Sequence, residues 1–350
     1  MNLKVHGQGV FLFRTLDPKG VITFSKQDRS NGLYFSLEYF GVRVTYNRER
    51  LTDPSNNTGL SPLNGVYYWI SLDSQNQWIL VGVGEPRLET VIYRFYIKKK
   101  ILESLIQVTY SESVTALMVL KDPVVTKVPL FVKGKMSLHS IAKGTHLPHS
   151  NLSMVSQRLY NCVIDTSLKD TWSKLGKAIE KSIKSGWCYN KLKEKENEFG
   201  NDPNMTYLRI TLGQNNGESP GVAYVMEIWP PGHYSPIHSH AGANAIIKVL
   251  RGAINVNLYP FLNESVTPFG NQTFEKNDIT WISPTLNQTH QLRNQGKKTC
   301  VTIQCYMYPE NDTTHYDYFD YLDVSGNERQ YTPDSDCSFM DFVNLMKKEF

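Results

Sequence analysis

Two histidines, His238 and His240 in the stretch SPIHSH, stand two residues apart in a run that otherwise reads as β-strand. Strand side chains alternate between faces, so the two imidazoles point the same way. Burying both rings on one face is unfavourable unless something uses their nitrogens. A metal ion is one partner that would use both; the alternative is a pair of core histidines satisfied by the protein itself. A third histidine, His290 in PTLNQTHQLRN, follows about fifty residues later with strand-like segments between. Three imidazoles on one ion would leave positions free on it for a further ligand.

The elements that must position these rings divide the chain in two. Its 350 residues, with 12% aromatic and 20% charged side chains, suit folded, aromatic-rich β structure with more than one core. Residues 1–133 read as short strands rich in aromatic and β-branched residues, such as GLYFSLEYFGVRVTY and GVYYWIS, separated by turn clusters such as DPSNNTG. A β-sandwich is expected there, its tyrosines and tryptophans used mainly for core packing. Residues 134–160, richer in Ser, His and Gly, read as a linker whose histidines His139, His146 and His149 lie on the surface or in loops. From Ser167 to Ser185 the apolar residues Leu168, Trp172, Leu175, Ile179 and Ile183 recur at helical spacing. Ser167 with Asp170 would cap that helix and Gly186 would stop it. Beyond Tyr207 the pattern returns to strands (YLRITL, GVAYVMEIW, AIIKVLRG, AINVNLYP, DITWIS and TCVTIQCYMY), which predicts a small antiparallel barrel occupying residues 161–350.

The framing of the histidines sharpens this. Gly232, His238, His240 and Gly252 fall at the spacing of the first motif of the cupin barrel, and His290 with Asn294 resembles the second, although Pro284 stands one residue further away than usual. Many metal cupins add a glutamate after the histidine pair; here that position is Ala245. Residues 230–260 and 284–308 resemble the thiol dioxygenases, specifically the cysteine dioxygenase family, and the likeness runs roughly over Tyr207–Thr332. It implies a double-stranded β-helix (jelly-roll) fold and Fe(II) held by His238, His240 and His290. It also implies addition of both atoms of O2 to the sulfur of L-cysteine, giving the sulfinate. Tyr207 and Arg209, in YLRI, match a Tyr-x-Arg whose arginine binds the substrate carboxylate, and Tyr306 matches the family's active-site tyrosine. A guanidinium fork suits a carboxylate, and a phenol beside the metal can donate to bound oxygen. An ion pair at the barrel rim is the other use for Arg209, and core packing the other use for Tyr306. His233 reads as a rim residue.

Ala245 stands where many members have a cysteine crosslinked to the tyrosine, so no crosslink can form. Ser239, Asn244, Gln304 and Thr302 replace further residues common around the site. Such rewiring typically costs roughly ten- to a hundredfold in activity or metal affinity. Another small thiol as substrate, or a cupin that binds without catalysis, are the competing expectations. Residues 67–97 weakly resemble the end of the domain found in farnesoic acid O-methyltransferase-like proteins, which assigns residues 1–133 no role.

Other classes are disfavoured. The net charge of +4 is spread out, and Lys191, Lys193 and Lys195 alternate with Glu194, Glu196 and Glu198, which argues against nucleic-acid binding. No apolar run is long enough to span a membrane, and the start MNLKVHGQGVFLF does not read as a signal peptide. Five cysteines without a CxxC pair point to a reduced cytoplasmic protein, and the seven sequons to chance matches. Cys300 and Cys305, an odd separation apart in one strand, should occupy opposite faces as small buried residues.

Overall fold

The structure is a computed structural model, and it describes residues 1–15, 20–27, 31–38, 41–51, 66–212, 222–308 and 318–350. The turn cluster DPSNNTG and the sequons at Asn56 and Asn311 lie outside the described residues. The chain forms two compact units, Met1–Val128 and Pro129–Phe350. Among the described residues no helix is long and apolar enough to cross a membrane.

The first unit is a sandwich of two antiparallel five-stranded sheets. Its strands are β1 (Gln8–Thr15), β2 (Val21–Ser25), β3 (Gly32–Glu38), β4 (Gly41–Tyr46) and β5 (Glu49–Arg50), then β6 (Tyr67–Asp73), β7 (Trp78–Val83), β8 (Val91–Tyr96), β9 (Gln107–Tyr110) and β10 (Val114–Leu120). One sheet has the order β10-β1-β6-β7-β8, the other β5-β4-β3-β2-β9. Phe11 of β1 meets Phe24 of β2 edge to face at 6.2 Å, joining the two sheets. The other face of the first sheet is covered as well, because Val10, Leu12, Trp69 and Leu80 pack under Leu88 and Val124. Burial on both faces is why β1 reads as the continuous run VFLF rather than as an alternation. Tyr68 and Trp69 are core residues, whereas Trp78 and Tyr96, cross-strand partners on β7 and β8, are 37% and 59% exposed.

Gly82 of β7 lies against the Trp69 indole, and a Cβ there would overlap the ring. Gly→Ala in a strand interior ordinarily stabilises. Here Gly82→Ala should instead destabilise the sandwich by about 1–3 kcal/mol, the usual cost of overpacking a core. A lower urea midpoint for the first transition of the full chain is the expected reading.

The second unit is a jelly-roll barrel. Its strands begin with β11 (Phe131–Lys133) and β12 (His146–Pro148), a parallel pair, and continue with β13 (Leu208–Leu212), β14 (Val222–Trp229), β15 (His238–Ser239), β16 (Asn244–Arg251), β17 (Ala253–Tyr259) and β18 (Gly270–Glu275). The remaining strands are β19 (Ile279–Ile282), β20 (Thr289–Arg293), β21 (Cys300–Met307), β22 (Phe319–Leu322), β23 (Glu328–Tyr331) and β24 (Cys337–Ser338). Two six-stranded sheets result, β19-β16-β21-β14-β13-β24 and β18-β17-β20-β15-β22-β23, antiparallel except where β13 meets β24. Residues from both sheets, among them Tyr207, Trp229, Val249, Leu258, Phe274 and Leu292, fill one end of the lumen. Cys300 shares that core, while Cys305 on the opposite face of β21 approaches the Leu159 carbonyl.

The stretch expected as a linker is built into this unit. Just before it, Phe131 packs at a tilt on Phe274, 4.8 Å between centroids, and Trp281 Nε1 donates to the Pro129 carbonyl at 3.0 Å. The boundary therefore falls at Val128–Pro129, before the expected residue 133. Ser153 caps the helix Met154–Val163, which packs on β16 and β21. His139 is exposed, while His146 and His149 are partly buried against Phe131 and Tyr160.

The helix expected from Ser167 starts later, at Leu175, and runs to Ser185. Ser167 and Asp170 do bond each other, Ser167 N–H donating to Asp170 Oδ2 at 2.6 Å, but they close a turn rather than cap a helix. The run TSLKDTWS is rich in short polar side chains that compete for the backbone, which favours turns over a helical first coil.

Candidate metal centre

β15 is only two residues long, but its register assembles the site. His238 pairs directly with His290 of β20 across the ladder, and with Tyr321 of β22 on its other side. His240, two residues on, faces the same way. The three ring centroids lie 4.9 Å (His238–His240), 4.7 Å (His238–His290) and 4.9 Å (His240–His290) apart, and one ligand atom from each ring falls within 4.8 Å of the others.

Carbonyl oxygens orient two of the rings. His238 Nδ1 lies 3.1 Å from the Pro236 carbonyl and His290 Nδ1 3.2 Å from that of Asn287. Carbonyls only accept, so each Nδ1 donates and each Nε2 keeps its lone pair for the centre. His240 Nε2 stands 3.2 Å from His290 Nε2, close to the separation of about 3 Å for adjacent nitrogens on an ion with bonds of about 2.1 Å. His240 Nδ1 is buried with no hydrogen-bond partner. Burial pushes the His238 and His290 rings down to about 4 and about 3, against the pull of their carbonyl bonds, and His240 well below the usual imidazole range, the crowding of the rings and Arg209 adding to its fall. All three are neutral at pH 7, the form that binds metal. Inward lone pairs on neutral rings, two of them buried and the third partly so, fit a cation.

Tyr306 of β21 stacks on His240 (5.2 Å, 21°), and Phe319 of β22 closes in edge-on at 4.7 Å. Burial holds the Tyr306 phenol well above its ordinary value, so it stays protonated. Its hydroxyl donates to Gln304 Oε1, and Gln304 Nε2 donates to Glu227 Oε2. The other oxygen of Glu227 receives Arg209 Nη1 at 3.1 Å. A continuous chain, Arg209–Glu227–Gln304–Tyr306, thus crosses β13, β14 and β21. Both members of its ion pair are nearly inaccessible, the side chains being 6% and 4% exposed. Burial raises the Glu227 carboxyl, and Arg209 opposes that rise.

Tyr207 is packed between Phe199 and Trp229, 4.2 Å from the latter. Ala245 stands opposite Tyr306 in the β16–β21 register, and Asn244 turns outward to accept from Ser153 and Ser156. His233 is held at the Thr206 carbonyl, away from the cluster. Sequence reading missed Phe319 and Glu227. Strand alternation could have flagged the glutamate, since Trp229, two residues on, is a core residue and puts Glu227 on the inward face.

The strand order, the two sheets and the inward histidines define a cupin barrel. Within it, residues 192–319 match the family model for cysteine dioxygenase type I. Solved structures with a similar barrel include the Cupin_2 domain of an XRE family transcriptional regulator from Enterobacter cloacae, at 16% identity over 30% of this chain and 98% of that one, TM-score 0.25. Another is a sugar phosphate isomerase from Silicibacter pomeroyi, at 15% identity over 36% and 74%, TM-score 0.24. A third is the cupin domain of Cnp3 from Schizosaccharomyces pombe, at 15% identity over 29% and 60%, TM-score 0.23. Residues 192–319 are thus similar to cysteine dioxygenase type I, and the barrel carries a three-histidine group able to hold a metal.

Proposed function

We propose that the second unit is an iron(II)-dependent dioxygenase of a small thiol, joining both atoms of O2 to sulfur. The observation that carries this reading is the convergence of three neutral imidazoles, two buried and one partly so, beside a protonated tyrosine, with no carboxylate in the group. Bound iron would supply the point at which thiolate and dioxygen meet. The reaction, RSH + O2 → RSO2H, balances without any other reductant, because sulfur gives up the four electrons that dioxygen takes.

The chain's own residues do the rest. The carbonyls of Pro236 and Asn287 fix the ring tautomers. Phe319 and the apolar lumen keep water out, which strengthens every polar contact inside. The Tyr306 hydroxyl can turn from Gln304 to donate to an oxygen of the developing sulfinate. L-Cysteine is the substrate favoured by the family match, with Arg209 as its carboxylate receptor and Tyr207 beside it. The Arg209–Glu227 pair favours a second reading, a small thiol without a carboxylate. A cytoplasmic location is supported by the five free cysteines.

Oxygen uptake by the full chain loaded with iron(II), with L-cysteine and then other small thiols added, tests the proposal. Uptake dependent on both iron and thiol supports it, and iron-loaded protein that consumes no oxygen with any of them contradicts it.

A further inference from the structure

A buried guanidinium in a barrel lumen would normally mark a subsite for an anionic ligand. Here the chain supplies the anion itself. Arg209 and Glu227 face each other in register across β13 and β14, 3.1 Å apart. Glu227's other oxygen is taken by Gln304, whose carbonyl in turn takes the Tyr306 hydroxyl. Glu227 therefore holds the guanidinium through Nη1, and its carboxyl is tied in turn, through Gln304, to Tyr306.

The pair is joined to the histidines by contact: the chain from Glu227 ends at the Tyr306 hydroxyl, and the Tyr306 ring stacks on His240 at 5.2 Å. Arg209 bears electrostatically on His238, His240 and Tyr306, and Glu227 on Tyr306. A substrate carboxylate entering beside Arg209 would have to displace Glu227 and leave a carboxylate buried without its partner, a heavily penalised arrangement. A thiol lacking a carboxylate meets no such obstacle.

We infer that Glu227 is a specificity-determining residue: by occupying Arg209 it closes the carboxylate subsite, so that the centre takes small thiols, with or without an amine, that carry no carboxylate. This deepens the proposed dioxygenase function and rests on its metal centre. Specificity here is partly exclusion, a built-in carboxyl standing where a substrate carboxylate would go.

The test compares 2-aminoethanethiol with L-cysteine, the same molecule bearing a carboxylate. Anaerobic calorimetric titration of the iron(II)-loaded full chain measures binding without turnover. Wild type should bind 2-aminoethanethiol at least about tenfold more tightly than L-cysteine, the cost of one unpaired buried charge being at least that large. Glu227→Gln keeps the shape but leaves Arg209 without a carboxyl partner that can carry charge, so it should shift the ratio toward L-cysteine by about tenfold or more. Arg209→Met/Glu227→Met replaces the pair by apolar groups, a change buried ion pairs often tolerate; it should keep the preference for 2-aminoethanethiol. L-Cysteine bound as tightly as 2-aminoethanethiol by wild type, a ratio unmoved by Glu227→Gln, or no binding of either thiol would each overturn the inference. Selective binding without oxygen uptake would instead uphold it while removing the dioxygenase reading.

Discussion

His240→Ala should abolish metal binding, and with it all thiol-dependent oxygen uptake. His240 is the most enclosed of the three rings, 1% exposed and wedged between Tyr306 and Phe319. Without it the site offers two nitrogens from a paired ladder, His238 opposite His290, and that register leaves the backbone little freedom to recruit a replacement. A loss of at least about a hundredfold in iron affinity is expected, the upper end of what disturbing even the surroundings of a ligand costs. Metal content after gel filtration measures it. Truncation also leaves a cavity, so thermal unfolding of the metal-free variant is needed as a control; a loss of stability of about 1–3 kcal/mol fits the truncation. Wild-type iron content in the variant would show that the histidines do not form the centre.

The second large effect is acid sensitivity of the metal-free protein. His238 and His290 have folded-state values of about 4 and about 3, against 6.5 when exposed. Between those limits the unfolded chain binds more protons than the folded one, so stability falls as pH falls. The contribution is fully present above pH 6.5 and is lost as pH drops through the folded values. A tenfold change in proton affinity corresponds to about 1.4 kcal/mol, so His238 alone accounts for a loss on the order of 3 kcal/mol. His233, also lowered by burial, acts in the same direction. Glu227, raised by burial, acts in the opposite one, since its contribution is present below the usual carboxylate value and lost as pH rises. Urea midpoints of apo protein taken from about pH 7.5 down to about 4 should decline, most steeply below the ordinary imidazole value. His238→Asn should flatten the decline, whereas an unchanged slope would mean that the rings are solvated.

The parts of this site legible in the sequence were those governed by local periodicity. His238 and His240 share a face because strand side chains alternate, and β16, β17, β19 and β21 appear where apolar and β-branched residues cluster. What escaped was set by register between distant strands. Nothing local pairs Glu227 with Arg209, 18 residues away on the neighbouring strand, or brings Gln304 to both Glu227 and Tyr306. Phe319 lies in a four-residue strand with little pattern of its own, and enters the site only because β22 pairs with β15. The polar stretch 134–160 read as a linker because its anchors, Ser153 and Ser156 on Asn244, have their partner about ninety residues downstream.

Isotopic labelling decides whether this centre is a thiol dioxygenase. Iron(II)-loaded full chain is given 2-aminoethanethiol, and separately L-cysteine, under oxygen-18 gas, and the products are read by mass spectrometry. A sulfinate carrying two heavy oxygens is expected, formed with one equivalent of oxygen consumed and absent from His240→Ala. Disulfide as the sole product, or a sulfinate that takes oxygen from water, would contradict the assignment.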